Sequence, residues 1–196
     1  MMKNILLLLF IFTTGTIFSQ LDIRNTNTEA PCYQKEADRM KKTYFEYDCG
    51  KIAGVVDCNE KLEYEEQSNT FYLSNSGARF TGQCETCHRN GLLERRITFV
   101  NGREDGKDTT YYKSGCPMVI REHTIGLETG TWRFYYDSTQ QVAWIRKYFR
   151  GIKEGVHVFF DNLGDTTVIE HYSNDLLNGV KKVYFTKNKI ELVRAT

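Results

Sequence analysis

The chain has 196 residues, 26 of them Lys or Arg and 25 Asp or Glu, for a formal charge of +1 with neutral histidines. That balance, without any long basic run, excludes a protein built to neutralise a nucleic-acid backbone, so no nucleic-acid partner is expected. Two prolines set against 12 tyrosines and 12 phenylalanines exclude a disordered chain and favour aromatic-rich β structure.

Residues 1–19 read as a secretory signal peptide. Lys3 supplies the positive start, and residues 5–12 are an unbroken apolar run of eight. A helix needs about 20 apolar residues to cross a bilayer core, so this run is too short to be an anchor. Its removal takes away Lys3 and no acid, leaving 25 basic and 25 acidic residues. The expected location is periplasmic or extracellular. All six cysteines (Cys32, Cys49, Cys58, Cys84, Cys87 and Cys116) lie beyond this segment. An even count in an oxidising compartment predicts disulfides. Cys49 and Cys58 flank Gly50 and Gly54, so a turn there is expected to bring that pair together.

Residues 20–77 read as an N-terminal cap. Strong helix formers over 34–42 predict a short helix. Strand-like residues follow from Tyr44 to Leu73, with Gly50 and Gly54 echoing the pattern of the next segment as a degenerate repeat.

Residues 78–196 carry five copies of a unit of about 24 residues. Glycines recur at Gly82, Gly106, Gly130, Gly155 and Gly179, and a second glycine precedes three of them by four positions, at Gly102, Gly126 and Gly151. Such a period predicts a repeat architecture, which builds surfaces more often than reaction centres. Five residues after each anchor glycine stands Cys87, Tyr111, Tyr135, Phe160 or Tyr184. Each copy reads as two short strands around a turn, at Asn90-Gly91, Ser114-Gly115, Ser138-Thr139, Leu163-Gly164 and Asn188-Lys189. Strand alternation puts Trp132, Phe134 and Tyr136 on one face, in register with Asp108, Thr110 and Tyr112. Phe99, His123, Tyr148 and Tyr172 share another slot. Five hairpins stacked edge to edge bury what one alone cannot. The expected fold is therefore mainly β, an elongated single antiparallel sheet with a small disulfide-containing cap. Lys181, Lys182, Lys187 and Lys189 in the last copy discourage further strand addition.

The run GLETGTWRFYY (126–136) resembles the bacterial variant of the MORN repeat, as do residues 99–115 and 148–160. That resemblance covers residues 78–196. It implies successive antiparallel hairpins in a twisted ribbon, and a non-catalytic interaction or scaffold role.

The sharpest competing signal is CETCH, residues 84–88. Cys84, Cys87 and His88 match the attachment pattern of a c-type haem. With Cys116 the same three residues would make a Cys3His zinc site. The repeat gives a plainer account, in which Cys87 fills the aromatic column and His88 the slot of Tyr112 and Tyr136. An extended strand also sends Cys84 and His88 to one side and Cys87 to the other. No cofactor is expected, and one of these cysteines is expected to bond to Cys116 or to the cap. The acids Glu85, Glu94, Glu104, Asp105, Glu128 and Glu154 read as a solvated rim. No nucleophile elbow, phosphate loop or zincin motif is present. The sequence thus reads as an exported, non-enzymatic protein that binds another envelope or extracellular protein. Tyr112, Trp132, Tyr136 and Trp144 are the candidate anchors, since aromatic residues dominate binding hot spots, while core packing within the repeat is the competing and, for any single one of them, the favoured account. A lipid-contacting surface lacks the basic amphipathic helix that would argue for it.

Overall fold

The computed structural model describes residues 53–184 and the backbone of residues 191–195. The expected signal peptide, the helix over 34–42, Cys32, Cys49 and the turn at Asn188-Lys189 lie outside the described residues.

Strand β1 (Val55–Asp57) runs into a one-turn helix, α1 (Cys58–Lys61). Asp57 caps that helix, its carboxylate accepting from the backbone N–H of Asn59 at 2.8 Å and of Glu60 at 3.1 Å. Strands β2 (Leu62–Glu65) and β3 (Thr70–Leu73) then pair as a separate two-stranded sheet. From Gly82 the chain is a meander. Its strands are β4 (Gly82–Cys87), β5 (Leu93–Val100), β6 (Arg103–Tyr111), β7 (Pro117–Thr124), β8 (Leu127–Tyr135) and β9 (Val142–Phe149). After the two-residue β10 (Ile152–Lys153) come β11 (Gly155–Phe160), β12 (Thr166–Ser173), the short β13 (Leu176–Leu177), β14 (Val180–Tyr184) and β15 (Glu191–Ala195). β10 folds back on β9 and β13 on β12, while each longer strand lies antiparallel to the one before. The sheet path holds eleven strands, roughly 48 Å from end to end at about 4.8 Å per strand.

Two features depart from a single antiparallel sheet. β1 joins the edge parallel to β4, with Val56 opposite Cys84, and β2–β3 stand apart from the main sheet. The reason is connectivity. The excursion through α1, β2 and β3 returns the chain to the same end of the sheet, which only a parallel pairing accommodates. Under that excursion lies the apolar core of this end: Phe80, Ile97 and Phe99 with the Cys84 side, packed by Val56, Leu62, Phe71 and Leu73.

Two kinds of turn alternate along the meander. At one long edge the strands are joined by two residues, both with positive φ: Asn101–Gly102, Ile125–Gly126, Arg150–Gly151 and Asn174–Asp175. This is what a type I′ turn requires, and its twist matches that of the flanking strands. The fourth such turn has no glycine, with Asn174 at φ 52° and Asp175 at φ 64°. The turn expected at Asn90-Gly91 forms, as part of a longer loop closed by His88 N–H to the Leu92 carbonyl. Equivalent loops close from Tyr112 to Cys116, Tyr136 to Gln141 and Asp161 to Asp165. A register shift recurs just before each of these loops, at Thr86/Cys87, Thr110/Tyr111, Phe134/Tyr135 and Phe159/Phe160. Such bulges increase local twist.

Candidate binding surface

The strands carry two rows of rings on one face. The first runs His123, Trp132, Tyr148, His157 and Tyr172, with successive ring centroids 5.5, 4.5, 6.0 and 4.6 Å apart. In the second, Tyr112 meets Phe134 edge-on at 6.3 Å and Phe134 stacks on Trp144 at 5.5 Å. The Arg146 guanidinium then lies 4.3 Å from the Trp144 ring and 5.4 Å from that of Phe159. Each ring buries its neighbours across the strands, which is how a β ribbon gains packing energy.

This arrangement engages the candidate anchors within the sheet, burying Trp132 and leaving Tyr112, Tyr136 and Trp144 half-buried. Trp132 is only 8% exposed, and its indole N–H donates to the carbonyls of Glu122 at 3.2 Å and Thr129 at 3.1 Å. Trp144 is covered by Phe134 on one side and Arg146 on the other. The Tyr112 hydroxyl donates to the Tyr135 carbonyl at 2.6 Å, and that of Tyr136 to the Phe160 carbonyl at 2.8 Å. His88 makes the same contact, from Nε2 to the Tyr111 carbonyl at 2.9 Å. These residues tie one hairpin to the next, so their side chains are engaged within the fold. Burial holds the imidazoles of His123 and His157 below the usual histidine range, for His123 against the attraction of Glu104 and for His157 against its bond to the Lys147 carbonyl.

The four described cysteines are oxidised. Cys58, at the start of α1, bonds to Cys84 with Cα atoms 5.1 Å apart, which overturns the expected Cys49–Cys58 pair. Cys87 and Cys116 are disulfide-bonded as well. CETCH therefore has no thiol for haem thioethers, and the Cys84, Cys87, His88 and Cys116 set has no thiolate for zinc. The parallel placement of β1 beside β4 sets the pairing, because it brings Cys58 to Cys84 rather than back to the turn before it. Disulfides fit an oxidising compartment.

Several acids expected on a solvated rim are engaged instead. Asp108 is fully buried in the slot that Trp132 occupies one hairpin later. Arg95 grips both its oxygens, at 2.9 and 3.0 Å, and Arg121 Nη2 lies 2.7 Å from Oδ2. Arg95 also donates to Glu104 at 3.0 Å, and His123 Nε2 lies 3.4 Å from the other Glu104 oxygen. On the opposite face Glu85 is fully buried against Arg96. Asp105 and Glu154 accept the backbone N–H of Ile125 at 3.1 Å and Asn174 at 3.0 Å, as Thr81 does for Asn101 at 2.8 Å. The residue before an anchor glycine thus pins the type I′ turn of the next hairpin, a role that its spacing of 20 from the turn residue signals and that composition alone hides.

Most of the exposed large apolar side chains of the sheet lie along the type I′ edge, with Leu163, 65% exposed, on the opposite one. Ile125 is 59% exposed, Phe149 56% and Leu176 72%, with Leu127 and Val100 also exposed. Ile125 holds φ at 53°, a conformation costly for a β-branched residue. Where the β2–β3 hairpin overhangs this edge, Tyr64, Asn69, Phe71, Glu104 and Gly126 line an open pocket of about 190 Å³. Sequence reasoning missed both features, because an exposed turn residue and a core residue of the same type look alike in a linear string.

No protein-family model and no curated protein matches the sequence. The crystal structure of a GtfA/B complex bound to UDP and GlcNAc is similar over 78% of this chain and 29% of that one, at 11% identity and a TM-score of 0.23. A likeness that slight carries no argument about fold or activity.

Proposed function

We propose that the chain is an exported, non-catalytic scaffold of tandem MORN-like hairpins whose type I′ edge captures another protein of the cell envelope or the extracellular space. The carrying observation is the row of exposed apolar turn residues, Ile125, Leu127, Phe149 and Leu176, on an edge otherwise pinned turn by turn through hydrogen bonds. Gly126 N–H donates to the Glu104 carbonyl at 2.7 Å and Gly151 N–H to the Glu128 carbonyl at 2.8 Å, so the tips are fixed before any partner arrives. A pre-organised surface loses little entropy on docking. Contiguous exposed apolar patches mark interaction sites more often than ordinary surface. Strain tolerated at Ile125, where two of the other three turns carry Asn, supports selection for that side chain rather than for the turn alone. The disulfides and the apolar N-terminal run support export.

The test is site-specific photocrosslinking in the native host. A crosslinking side chain at position 149 or 176 is expected to trap one discrete protein adduct, and the same group at Asn162 on the opposite edge none. Adducts of equal yield from both edges, or none at 149 and 176, would overturn the reading.

A further inference from the structure

The pocket under the β2–β3 hairpin has the chemistry of a ligand site, and it stands whether or not the edge captures a protein. Its walls are rigid. Phe71 N–H donates to the Gly102 carbonyl at 2.7 Å, and Phe80 N–H to the Phe71 carbonyl at 3.0 Å. A Cβ on Gly102 would come within 2.8 Å of the Phe71 carbonyl oxygen, so the hairpin rests directly on the ribbon's backbone. Gly126 keeps the floor open, where an added Cβ would lie 3.8 Å from Asn69 Nδ2.

The lining combines one amide, one carboxylate and an aromatic wall. Tyr64 is 52% exposed and packs on Phe71 with ring centroids 4.8 Å apart, leaving much of its surface open to a ligand. The Tyr64 hydroxyl donates to Asn69 Oδ1 at 2.9 Å, which turns the amide N–H2 end away from that bond. The Glu104 carboxylate is held in place by Arg95 and faces His123.

Charge decides among ligand classes. An aromatic wall beside a carboxylate would suit an organic cation if the carboxylate were uncompensated. Here Glu104 and Asp108 are balanced by Arg95 and Arg121 in one connected cluster. The pocket therefore presents an acceptor whose charge is compensated, an amide donor and an apolar ring, with the Arg103 stem beside its floor, Cβ 3.9 Å from where a Gly126 Cβ would stand. That combination favours a neutral ligand with hydroxyls on its rim and C–H bonds on its face. At about 190 Å³ the pocket is smaller than the 300–1,000 Å³ of drug-sized sites, which suits a single ring.

We propose that this pocket binds one ring of a neutral carbohydrate, its face against Tyr64 and its hydroxyls on Asn69 and Glu104. The test is NMR titration of the full oxidised chain with glucose, galactose, mannose and N-acetylglucosamine, with choline and methylguanidinium as the cationic alternatives. At least one sugar is expected to saturate at millimolar concentration and to shift the signals of Tyr64, Asn69 and Gly126. Asn69 has φ 49°, so Asn69→Gly keeps the turn while removing the amide, and it is expected to weaken that sugar about tenfold or more. Tyr64→Ala is expected to weaken it similarly, and Tyr64→Phe, which keeps the ring, less. Absence of saturation by any sugar, shifts mapping elsewhere, unchanged affinity in folded Asn69→Gly and Tyr64→Ala, or binding of the cations instead would each overturn the proposal.

Discussion

Replacing Asp108 with Asn tests whether the buried charge cluster organises the centre of the ribbon. The substitution preserves volume, so it opens no cavity. It removes the charge that two guanidinium groups share, and it turns an amide N–H2 toward donors. Breaking a fully buried ion pair from one side costs about 3–5 kcal/mol. Asp108 is fully buried, but the Arg95 and Arg121 side chains retain 35% and 24% of their exposure and regain water when the carboxylate goes. The expected loss is therefore smaller, about 2–3 kcal/mol. For a domain of this size that is a fall in Tm of about 5–10 °C. Glu104→Gln makes the comparison, since its carboxylate bonds Arg95 through one oxygen and keeps more water; about 1 kcal/mol is expected there. Urea unfolding of the oxidised proteins measures both. If Asp108→Asn costs no more than Glu104→Gln, or if the Asp108 and Arg95 substitutions prove additive, the cluster is not held together at Asp108 and the reasoning fails.

Removing the Cys58–Cys84 bond with a double Ala substitution frees a loop with a sequence separation of 26, for an expected loss of about 3.5 kcal/mol on the chain-entropy account. Urea unfolding under non-oxidising handling checks it, together with faster amide exchange at Val55–Asp57; a loss under about 1 kcal/mol would show that the cap is held by packing alone. The pH dependence follows from His123 and His157, whose folded-state pKa values burial pushes below the ordinary 6.5. Their contribution is complete above that unfolded value and is lost as pH falls through 6.5 toward the lower folded values. Melting temperature is expected to fall between about pH 7 and 5.5, and His157→Phe, which keeps a ring between Tyr148 and Tyr172, to flatten part of that fall. An unchanged slope in His157→Phe would remove His157 from the account.

The meander was readable because its punctuation is chemical. Glycine at 102, 126 and 151 marks backbone that must turn left-handed, and the donors at His88, Tyr112 and Tyr136 repeat because each reaches the same carbonyl one hairpin on. The turn at Asn174–Asp175 was less readable, since two residues that tolerate positive φ replace the usual glycine. Which face packs was not readable at all. Alternation separates Trp132 from Tyr135 but does not say which side a neighbouring ring will cover, so it could not divide a binding anchor from a packed ring such as Trp132. The bond expected between a CETCH cysteine and Cys116 or the cap is there as Cys84–Cys58, but which cap cysteine it takes was hidden for a related reason. Cys58 meets Cys84 through a parallel pairing of β1, and nothing in the spacing of 32, 49 and 58 encodes that return. The sequence put Asp108 in the slot of Trp132 but could not show its partners, because Arg95 and Arg121 come from the strands on either side of it and are distant in the chain.

These misplacements share a cause that bears on where such a ribbon can specialise. Beyond the footprint of the β2–β3 hairpin, a described side chain on the sheet is buried chiefly by its neighbours across the strands, as Trp132 is by His123 and Tyr148. Changing a residue in either row therefore disturbs two contacts at once, and the rows are held to rings or to a substitute such as the Asp108 ion cluster. The type I′ turns are under a different constraint. Their backbone is fixed by main-chain bonds such as Gly126 to Glu104 and by acceptors such as Asp105, none of which depends on the side chain at the turn tip. Asn101, Ile125, Arg150 and Asn174 fill one such position with three different kinds of side chain, at φ 51°, 53°, 51° and 52°. An architecture that fixes its turns through the backbone leaves the tips free to vary, and the apolar choices at the tip residue Ile125 and at the flanking strand ends Phe149 and Leu176 cost the fold solvation that a polar residue would not. A partner docked on this edge, as proposed above, would recover that cost by taking the same side chains out of water.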